Sequence, residues 1–198
     1  MLKPFGYDET KVNSFGEKIV LPAGAYVCRI KSVEENESKR GTPQIRVCLD
    51  IAEGDYYHYW QNKWQEKLEE KPNAGYPRGG VCYIALHKWG TDEVNPQFKA
   101  FCEAYKKTND CEVNWTAGDW GKQFEGKYIG AVYRHEEQEY NGYKYMQPSI
   151  AFWCSVDSAR SGDIKPPAPK YLKDREESMP SDQDIADAFS AFESDIPF

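Results

Sequence analysis

Aromatic and basic side chains alternate in several short stretches of this sequence. Aromatic residues make up 15% of the chain, including 6 Trp and 14 Tyr. Exposed rings stack on nucleobases for about 1–3 kcal/mol per base, and interleaved Lys and Arg follow the phosphates. The pattern predicts a surface for single-stranded nucleic acid, while rings at a barrel rim or a protein interface are the simpler alternative. The candidate DNA-binding residues are Arg29, Lys31, Lys39, Arg40, Arg46, Trp60, Lys63, Trp64, Lys88, Trp89, Arg134, Tyr140, Tyr143, Lys144 and Tyr145.

The last six residues, Glu193–Phe198, combine acidic side chains with a terminal aromatic ring. The ring and the α-carboxylate of Phe198 suit a partner that offers an apolar pocket with a basic residue at its lip. The sequence therefore predicts a partner-docking tail, and a generic solubilising extension is the alternative. The predicted partner-binding residues are Asp195, Ile196, Pro197 and Phe198.

The negative charge of the chain is concentrated near this tail. The formal net charge is −7, from 32 acidic and 25 basic residues. Residues 174–198 hold eight of the acidic residues and one of the basic residues, so residues 1–173 hold 24 of each. The body is thus neutral, and the acidic isoelectric point does not exclude a basic surface on it.

Metal and covalent chemistry find little support in the sequence. The six cysteines form no C-x-x-C pair, and the three histidines are not spaced to complete a zinc site. We expect reduced, buried cysteines, no metal, no cofactor and no enzymatic activity. A metal-dependent nuclease is the alternative, with carboxylates from Glu136, Glu137, Glu139 and Asp157. Because three of these glutamates flank a turn, a solvated charge run is the simpler interpretation.

Five strands and a helix are predicted to position these residues. The apolar spacing that follows Pro96 predicts a helix of about three turns between strands three and four. Asn141-Gly142 predicts a tight hairpin turn between the last two strands. The aromatic segment 56–70 fits a helix better than a strand end. The strands are predicted at residues 25–33, 45–52, 81–86, 128–135 and 145–156.

This order of elements predicts a mainly β fold. The expectation is a five-stranded barrel of the oligonucleotide-binding (OB) kind, with a helix between strands three and four. In that fold the ligand contacts the face of strands two and three and the loops that join strands one–two and four–five. Arg46, the loop of Lys39 and Arg40, and the hairpin 140–145 map to those places.

Composition divides the chain into three parts. Residues 1–160 form the predicted OB domain, and residues 161–180 form a linker that begins with the proline-rich stretch Lys165–Lys170. Residues 181–198 form the acidic tail, which is too polar to fold alone and is expected to be disordered. There is no apolar run of membrane-spanning length and no signal-peptide pattern, so we expect a cytoplasmic protein.

Several stretches resemble a family of single-stranded DNA-binding proteins encoded by phages and prophages of Gram-positive bacteria. The final four residues are also similar to the C-terminal peptide of bacterial single-stranded DNA-binding proteins. The segment 56–64 departs from the family pattern because it is unusually aromatic. The resembling stretches are Leu21-Pro22-Ala23-Gly24-Ala25-Tyr26, Asp50-Ile51-Ala52-Glu53-Gly54, Phe98-Lys99-Ala100-Phe101, Gly126-Lys127-Tyr128-Ile129-Gly130 and Ser155-Val156-Asp157.

The resemblance implies an OB barrel that coats single-stranded DNA during phage replication or recombination in a bacterial host cell. It also implies that the tail recruits replication and repair enzymes. The aromatic–basic pattern and the resemblance therefore lead to the same expectation, which is sequence-independent binding and protection of single-stranded DNA. A protein-only adaptor, whose aromatic residues form a protein interface, is the remaining alternative.

Overall fold

A computed structural model of the chain describes residues 20–172, and the fold within them is mainly β. Five antiparallel strands form one sheet in the order β3-β2-β1-β4-β5. The strands are β1 Gly24–Glu37, β2 Pro43–Ile51, β3 Val81–Ala85, β4 Tyr128–Tyr140 and β5 Tyr143–Cys154. The helices are α1 Tyr59–Glu70, α2 Pro96–Asn109 and α3 Val156–Arg160. The five predicted strands and the predicted helix between strands three and four are confirmed.

The central strand β1 pairs with two neighbours along different parts of its length. Residues 24–29 pair with β4, and residues 28–37 pair with β2. A β-bulge between Ile30 and Ser32 lies just after the end of the β4 pairing and before most of the β2 pairing. Because a bulge bends its strand and increases the local twist, β1 turns the sheet around its apolar face.

The sheet is open between its edge strands, so the predicted closed barrel is not formed. Within residues 20–172, β3 pairs with β2 alone and β5 pairs with β4 alone. A 3₁₀ turn, Arg78–Gly80, contacts both edge strands. A Cβ on Gly79 would stand 2.8 Å from the carbonyl oxygen of Pro148 in β5 and would also clash with Trp60. The turn and the Trp60 ring thus occupy space that a longer β3 would need to approach β5.

One hydrophobic core lies against the inner face of the sheet. Ile45, Val47 and Leu49 of β2 are fully buried, as their alternation with polar residues predicts. Helix α2 adds the buried ring of Phe101, which meets the Trp153 ring of β5 edge-on at 5.2 Å. These contacts join strands from both halves of the sheet in one core.

Local signals set the ends of α2 and of the last hairpin. Asn95 caps α2 by accepting a hydrogen bond from Gln97 N at 2.9 Å, and Pro96 opens the helix. In the turn between β4 and β5, Asn141 and Gly142 have φ values of 52° and 79°. Two positive φ angles are those of a type I′ turn, so the predicted hairpin is confirmed.

The chain after α3 returns along β4 and does not leave the sheet at residue 160. Lys170 N donates to His135 O at 2.9 Å, and Lys170 O accepts from Glu137 N at 2.8 Å. This contact covers the edge of β4 that β1 leaves unpaired beyond Tyr133. The segment that follows α3 is therefore hydrogen-bonded to the sheet at Lys170. The rest of the linker and the predicted disordered tail 181–198, with Asp195–Phe198, lie outside the described residues.

Candidate nucleic-acid interface

A strip of polar and aromatic side chains runs along β2 on the outer side of the sheet. Because strand side chains alternate, Arg46 faces outward while its neighbours Ile45 and Val47 enter the core. Arg46 pairs across the sheet with Tyr83 of β3, whose side chain is 55% exposed. An exposed ring therefore lies beside a guanidinium at the centre of the strip.

Two loops meet where β2 begins. Ser38 Oγ accepts hydrogen bonds from Arg40 N and Thr42 N, and this holds the β1–β2 turn. The Arg40 guanidinium lies over the Trp89 ring of the β3–α2 loop, 5.8 Å from its centroid. The Trp89 side chain is 76% exposed. This pair lines a cleft of about 640 Å³ and offers one face for a base and one cation for a phosphate.

A third group surrounds a pocket of about 310 Å³ near the other end of β2. Arg29 and Lys31 of β1 line it; Arg29 Nε donates to Gly126 O at 3.3 Å, and Lys31 Nζ donates to Gln61 Oε1 at 3.0 Å. Other lining residues are Tyr57, His58 and Tyr128, and we call this cavity the His58 pocket. We use the name β2 strip for Arg29, Lys31, Arg40, Arg46, Tyr83 and Trp89 together.

Ion pairing leaves only some of the predicted cations available. Within residues 20–172, no carboxylate lies within 4.0 Å of the charged groups of four of them, which are Arg29, Lys31, Lys39 and Arg40. Arg46 is paired with Glu34 at 3.1 Å, and Lys88 is paired with Glu93. The available positive charge is therefore found at the two ends of the β2 strip, and its centre is neutralised.

Trp60 is a core residue here, so its ring is not available to stack on a base, whereas Trp64 is half-buried. The Trp60 side chain is 4% exposed, and its Nε1 donates to the Tyr133 hydroxyl at 3.1 Å. Burial raises the pKa of Tyr133 well above its ordinary value, so the hydroxyl stays protonated. Trp64 packs on Tyr76 and donates from Nε1 to Ala74 O at 2.9 Å. The Trp60 ring has no face open to a base.

The candidate residues of the β4–β5 hairpin do not belong to the β2 strip. Tyr140 and Tyr143 are 70% and 79% exposed at the tip of the hairpin. Tyr145 lines a groove of about 510 Å³ with Lys63 of α1, and no residue of the β2 strip lines it. Lys63 is paired with Glu66 at 3.1 Å. The structure thus separates these residues from the β1–β2 loop, although the sequence placed both in one site.

The two remaining cations of the last hairpin are engaged by carboxylates of β4. The Arg134 guanidinium is paired with Glu136, and Lys144 Nζ lies 4.0 Å from Glu137 Oε2. Both contacts occur within the paired arms of β4 and β5. The Arg134 pair lies within β4 and the Lys144 pair crosses from β5 to β4, so both cations offer less free charge than Arg29 or Arg40.

The carboxylates of the nuclease alternative do not converge. Glu136 and Glu137 are consecutive residues of β4, so their side chains point to opposite faces. Asp157 lies on α3, with its side chain 93% exposed. Among the described residues, no group of three or more His, Cys, Asp and Glu side chains is placed to hold a metal ion. In the same part of the chain, no helix has both the length and the apolar character needed to cross a membrane.

The sequence did not single out three residues of this surface: His58, Tyr83 and Tyr128. A signal for Tyr83 was present, because it alternates with core-facing Ile84 in a strand that was predicted. Tyr128 is the Cα partner of Arg29 on β1, and strand pairing of this kind is not visible in one sequence.

No protein-family model matches this chain, and no curated protein matches it significantly. The resemblance to phage single-stranded DNA-binding proteins therefore rests on the short stretches quoted above.

Proposed function

We propose that this protein binds single-stranded DNA without sequence preference, through the β2 strip. One observation carries the proposal: exposed rings, and cations that have no carboxylate partner among residues 20–172, lie along a single strand of the sheet and come from β1, two loops and β3. Rings such as Trp89 and Tyr83 suit bases of any sequence, and the cations at both ends suit the phosphates. Coating and protection of DNA during phage replication or recombination is the corresponding proposed role.

The strand order supports an OB-type relationship. Joining β3 to β5 would close the order β3-β2-β1-β4-β5 into a five-stranded ring, and OB folds are partly open barrels with a Greek-key path. The helix α2 also lies between strands three and four, as in that fold. The β2 strip then corresponds to the ligand face of strands two and three. We propose the OB fold on these grounds.

The size of the strip suits a short single strand. The nine residues of β2 span roughly 26 Å at about 3.3 Å per residue. OB folds occupy about 4–16 nucleotides each, and this length fits the lower end of that range. Arg29, Lys31 and Arg40 of the strip and the neighbouring Lys39 have no carboxylate partner within residues 20–172, so about four phosphates are expected to be neutralised at once.

The decisive experiment is a titration of the full chain with oligo-dT at several salt concentrations, read by tryptophan fluorescence. A base stacked on Trp89 should quench its emission. The binding constant should fall with salt with a log–log slope near −3, because each neutralised phosphate on a single strand contributes about −0.7. No quenching and no binding at low salt would overturn the proposal.

A matched oligonucleotide separates the stacking from the charge contribution. A strand of equal length and charge that lacks its bases should retain the salt slope and lose most of the affinity and the quenching. Equal affinity for both strands would mean that the rings take no part. Duplex DNA of the same sequence provides a further control, since its bases cannot stack on exposed side chains.

Recruitment of partner enzymes through Asp195–Phe198 stays a prediction, because these residues lie outside the described part of the chain. Deleting Phe198 should abolish capture of the partner and leave DNA affinity equal or higher. A loss of DNA affinity would instead place the tail within the DNA-binding site.

A protein adaptor is a second candidate, and one feature favours it. Phe98, Trp115 and Trp120 line a cleft of about 770 Å³, and the two Trp rings stack with centroids 5.8 Å apart. Glu35 and Asp119 lie at its edge, so it suits a partner segment that combines a basic with an apolar side chain. Capture of such a partner by a chain that shows no oligo-dT binding, and loss of capture in Trp115→Ala, would establish the adaptor.

A further inference from the structure

We propose that His58 and Asp50 turn the His58 pocket into a phosphate subsite that opens as the pH falls. This inference rests on the proposed function, because the phosphate would be a phosphodiester of the bound strand. Arg29 and Lys31 supply fixed positive charge in the same pocket, and the protonation of His58 adds to it. The four residues come from β1, β2 and the turn before α1.

The Asp50 carboxylate holds His58 in place. The Asp50 side chain is 3% exposed, and its Oδ2 lies 2.8 Å from His58 Nδ1. Its Oδ1 accepts backbone N–H groups from Ile51 at 3.0 Å, Trp60 at 3.1 Å and Gln61 at 3.3 Å. Two of these donors belong to the first turn of α1. The buried carboxylate thus fixes the helix start and the imidazole together.

This arrangement sets the role of each imidazole nitrogen. An ionised carboxylate only accepts hydrogen bonds, so Nδ1 carries a hydrogen and donates to Asp50 whether His58 is neutral or charged. Nε2 is then the atom that gains or loses the proton. It has no hydrogen-bond partner among residues 20–172, and the side chain is 46% exposed at the pocket. A phosphate oxygen meets a lone pair on Nε2 at high pH and an N–H donor at low pH.

The net formal charge of the pocket depends on whether His58 is protonated. The charged groups that face His58 are Asp50 from β2, Arg29 and Lys31 from β1, and Glu125 from the loop before β4. With His58 neutral, two positive and two negative charges cancel. With His58 protonated, the formal charge is +1. Tyr57 and Tyr128 also face the pocket.

The backbone also commits His58 to this position. His58 has a φ of 59°, in the left-handed region that few residues other than glycine adopt. Its N–H donates to Ile51 O at 2.9 Å, and this closes the turn from β2 into α1. Strained positions of this kind persist where the surrounding contacts enforce them, and they cluster at functional sites.

The test measures oligo-dT affinity at constant ionic strength between pH 5.5 and pH 8.0, with a pH-insensitive rhodamine label on the DNA. Wild-type affinity should fall about tenfold across this range, as expected for the loss of one charge-assisted hydrogen bond. His58→Gln should bind equally at both pH values, at the wild-type level of pH 8.0. A wild-type profile that is flat, or a profile that persists in His58→Gln, would overturn the inference while leaving DNA binding intact.

The other two histidines provide matched controls. His135→Gln removes a ring whose Nε2 donates to Leu21 O at 2.8 Å, and His87→Gln removes a ring whose Nδ1 donates to Asp92 O at 3.1 Å. Both variants should keep the wild-type pH profile. If the profile disappears in His87→Gln or His135→Gln and not in His58→Gln, the assignment to His58 is wrong.

A measurement on the unmodified chain covers the case in which His58→Gln does not fold. Nitrogen-15 spectra of the three imidazoles at pH 5.5, with and without inorganic phosphate, should show a shift at His58 Nε2 alone. If oligo-dT binding fails at every pH, the proposed function fails, and this spectrum still decides the subsite. A His58 shift would support a phosphate site with another source of phosphate, and its absence would exclude the subsite.

Discussion

Replacing Trp89 by Ala should weaken binding of single-stranded DNA without lowering the stability of the fold. The Trp89 side chain is 76% exposed, and its ring contact is the Arg40 guanidinium 5.8 Å from the centroid. Truncation therefore opens no cavity in the core. The change removes a stacking platform and leaves the cation beside it.

The magnitude follows from these contacts. One base that stacks on a ring contributes about 1–3 kcal/mol, so Trp89→Ala should weaken affinity by about 5- to 150-fold. Substitutions on the surface usually change the free energy of unfolding by less than about 0.5 kcal/mol, and we expect that here. The salt slope should stay unchanged, because Arg40 remains free to neutralise its phosphate.

The assay is fluorescence anisotropy of labelled oligo-dT, with urea unfolding of each variant in parallel. Trp115→Ala is the matched control, since Trp115 is 62% exposed and lies in the aromatic cleft with Phe98 and Trp120. Its DNA affinity should stay within about twofold of wild type, a change of less than about 0.5 kcal/mol.

Two results would refute the reasoning. Wild-type affinity in Trp89→Ala together with weak binding in Trp115→Ala would move the interface from the β2 strip to the aromatic cleft. A log–log salt slope of Trp89→Ala that is less steep than that of wild type by about 0.7 would correspond to the loss of one neutralised phosphate. The Trp89 ring would then act by placing Arg40 on a phosphate, and no base would stack on it.

Three further predictions concern the fold. Tyr133→Phe should lower the free energy of unfolding in urea by about 1–3 kcal/mol, because it leaves the buried Trp60 Nε1 without its acceptor; an unchanged midpoint would contradict that hydrogen bond. Burial raises the pKa of Cys102 to about 11 and that of Cys82 to about 12, so maleimide at pH 8 should label both thiols only after unfolding. Because these thiols ionise near pH 8.5 in the unfolded chain, stability should fall as the pH rises above that value, and a flat stability profile from pH 8 to 10 would contradict the shifts. Gly142→Ala should lower stability by about 1 kcal/mol through its φ of 79°, with oligo-dT affinity unchanged.

The sequence predicted the strands and α2 because their signals are local. Ile45, Val47 and Leu49 alternate with polar residues, and Asn95 with Pro96 marks a helix start. Closure of the barrel was predicted wrongly because it depends on contacts between distant segments. The short β3 and the 3₁₀ turn Arg78–Gly80, which meets Trp60 and β5, cannot be deduced from local pattern.

The site was predicted less well than the fold. Trp60 and Trp64 looked exposed among polar neighbours, yet they are four residues apart and share one side of a helix, which is the spacing of a packed face. The Asp50–His58 contact depends on a left-handed residue between β2 and α1. A histidine at that position does not by itself predict the left-handed conformation.

The bulge in β1 links the shape of the sheet to the composition of the β2 strip. Without it, alternation from the buried Ile30 would turn Val33 outward and Glu34 inward. The extra residue places Lys31 and Ser32 consecutively on the outer side and returns Val33 to the core. Glu34 then faces Arg46 at 3.1 Å, and Lys31, which donates to Gln61 Oε1 at the His58 pocket, has no carboxylate partner among residues 20–172. One inserted residue therefore bends the sheet around its core and places the carboxylate that neutralises the centre of the strip.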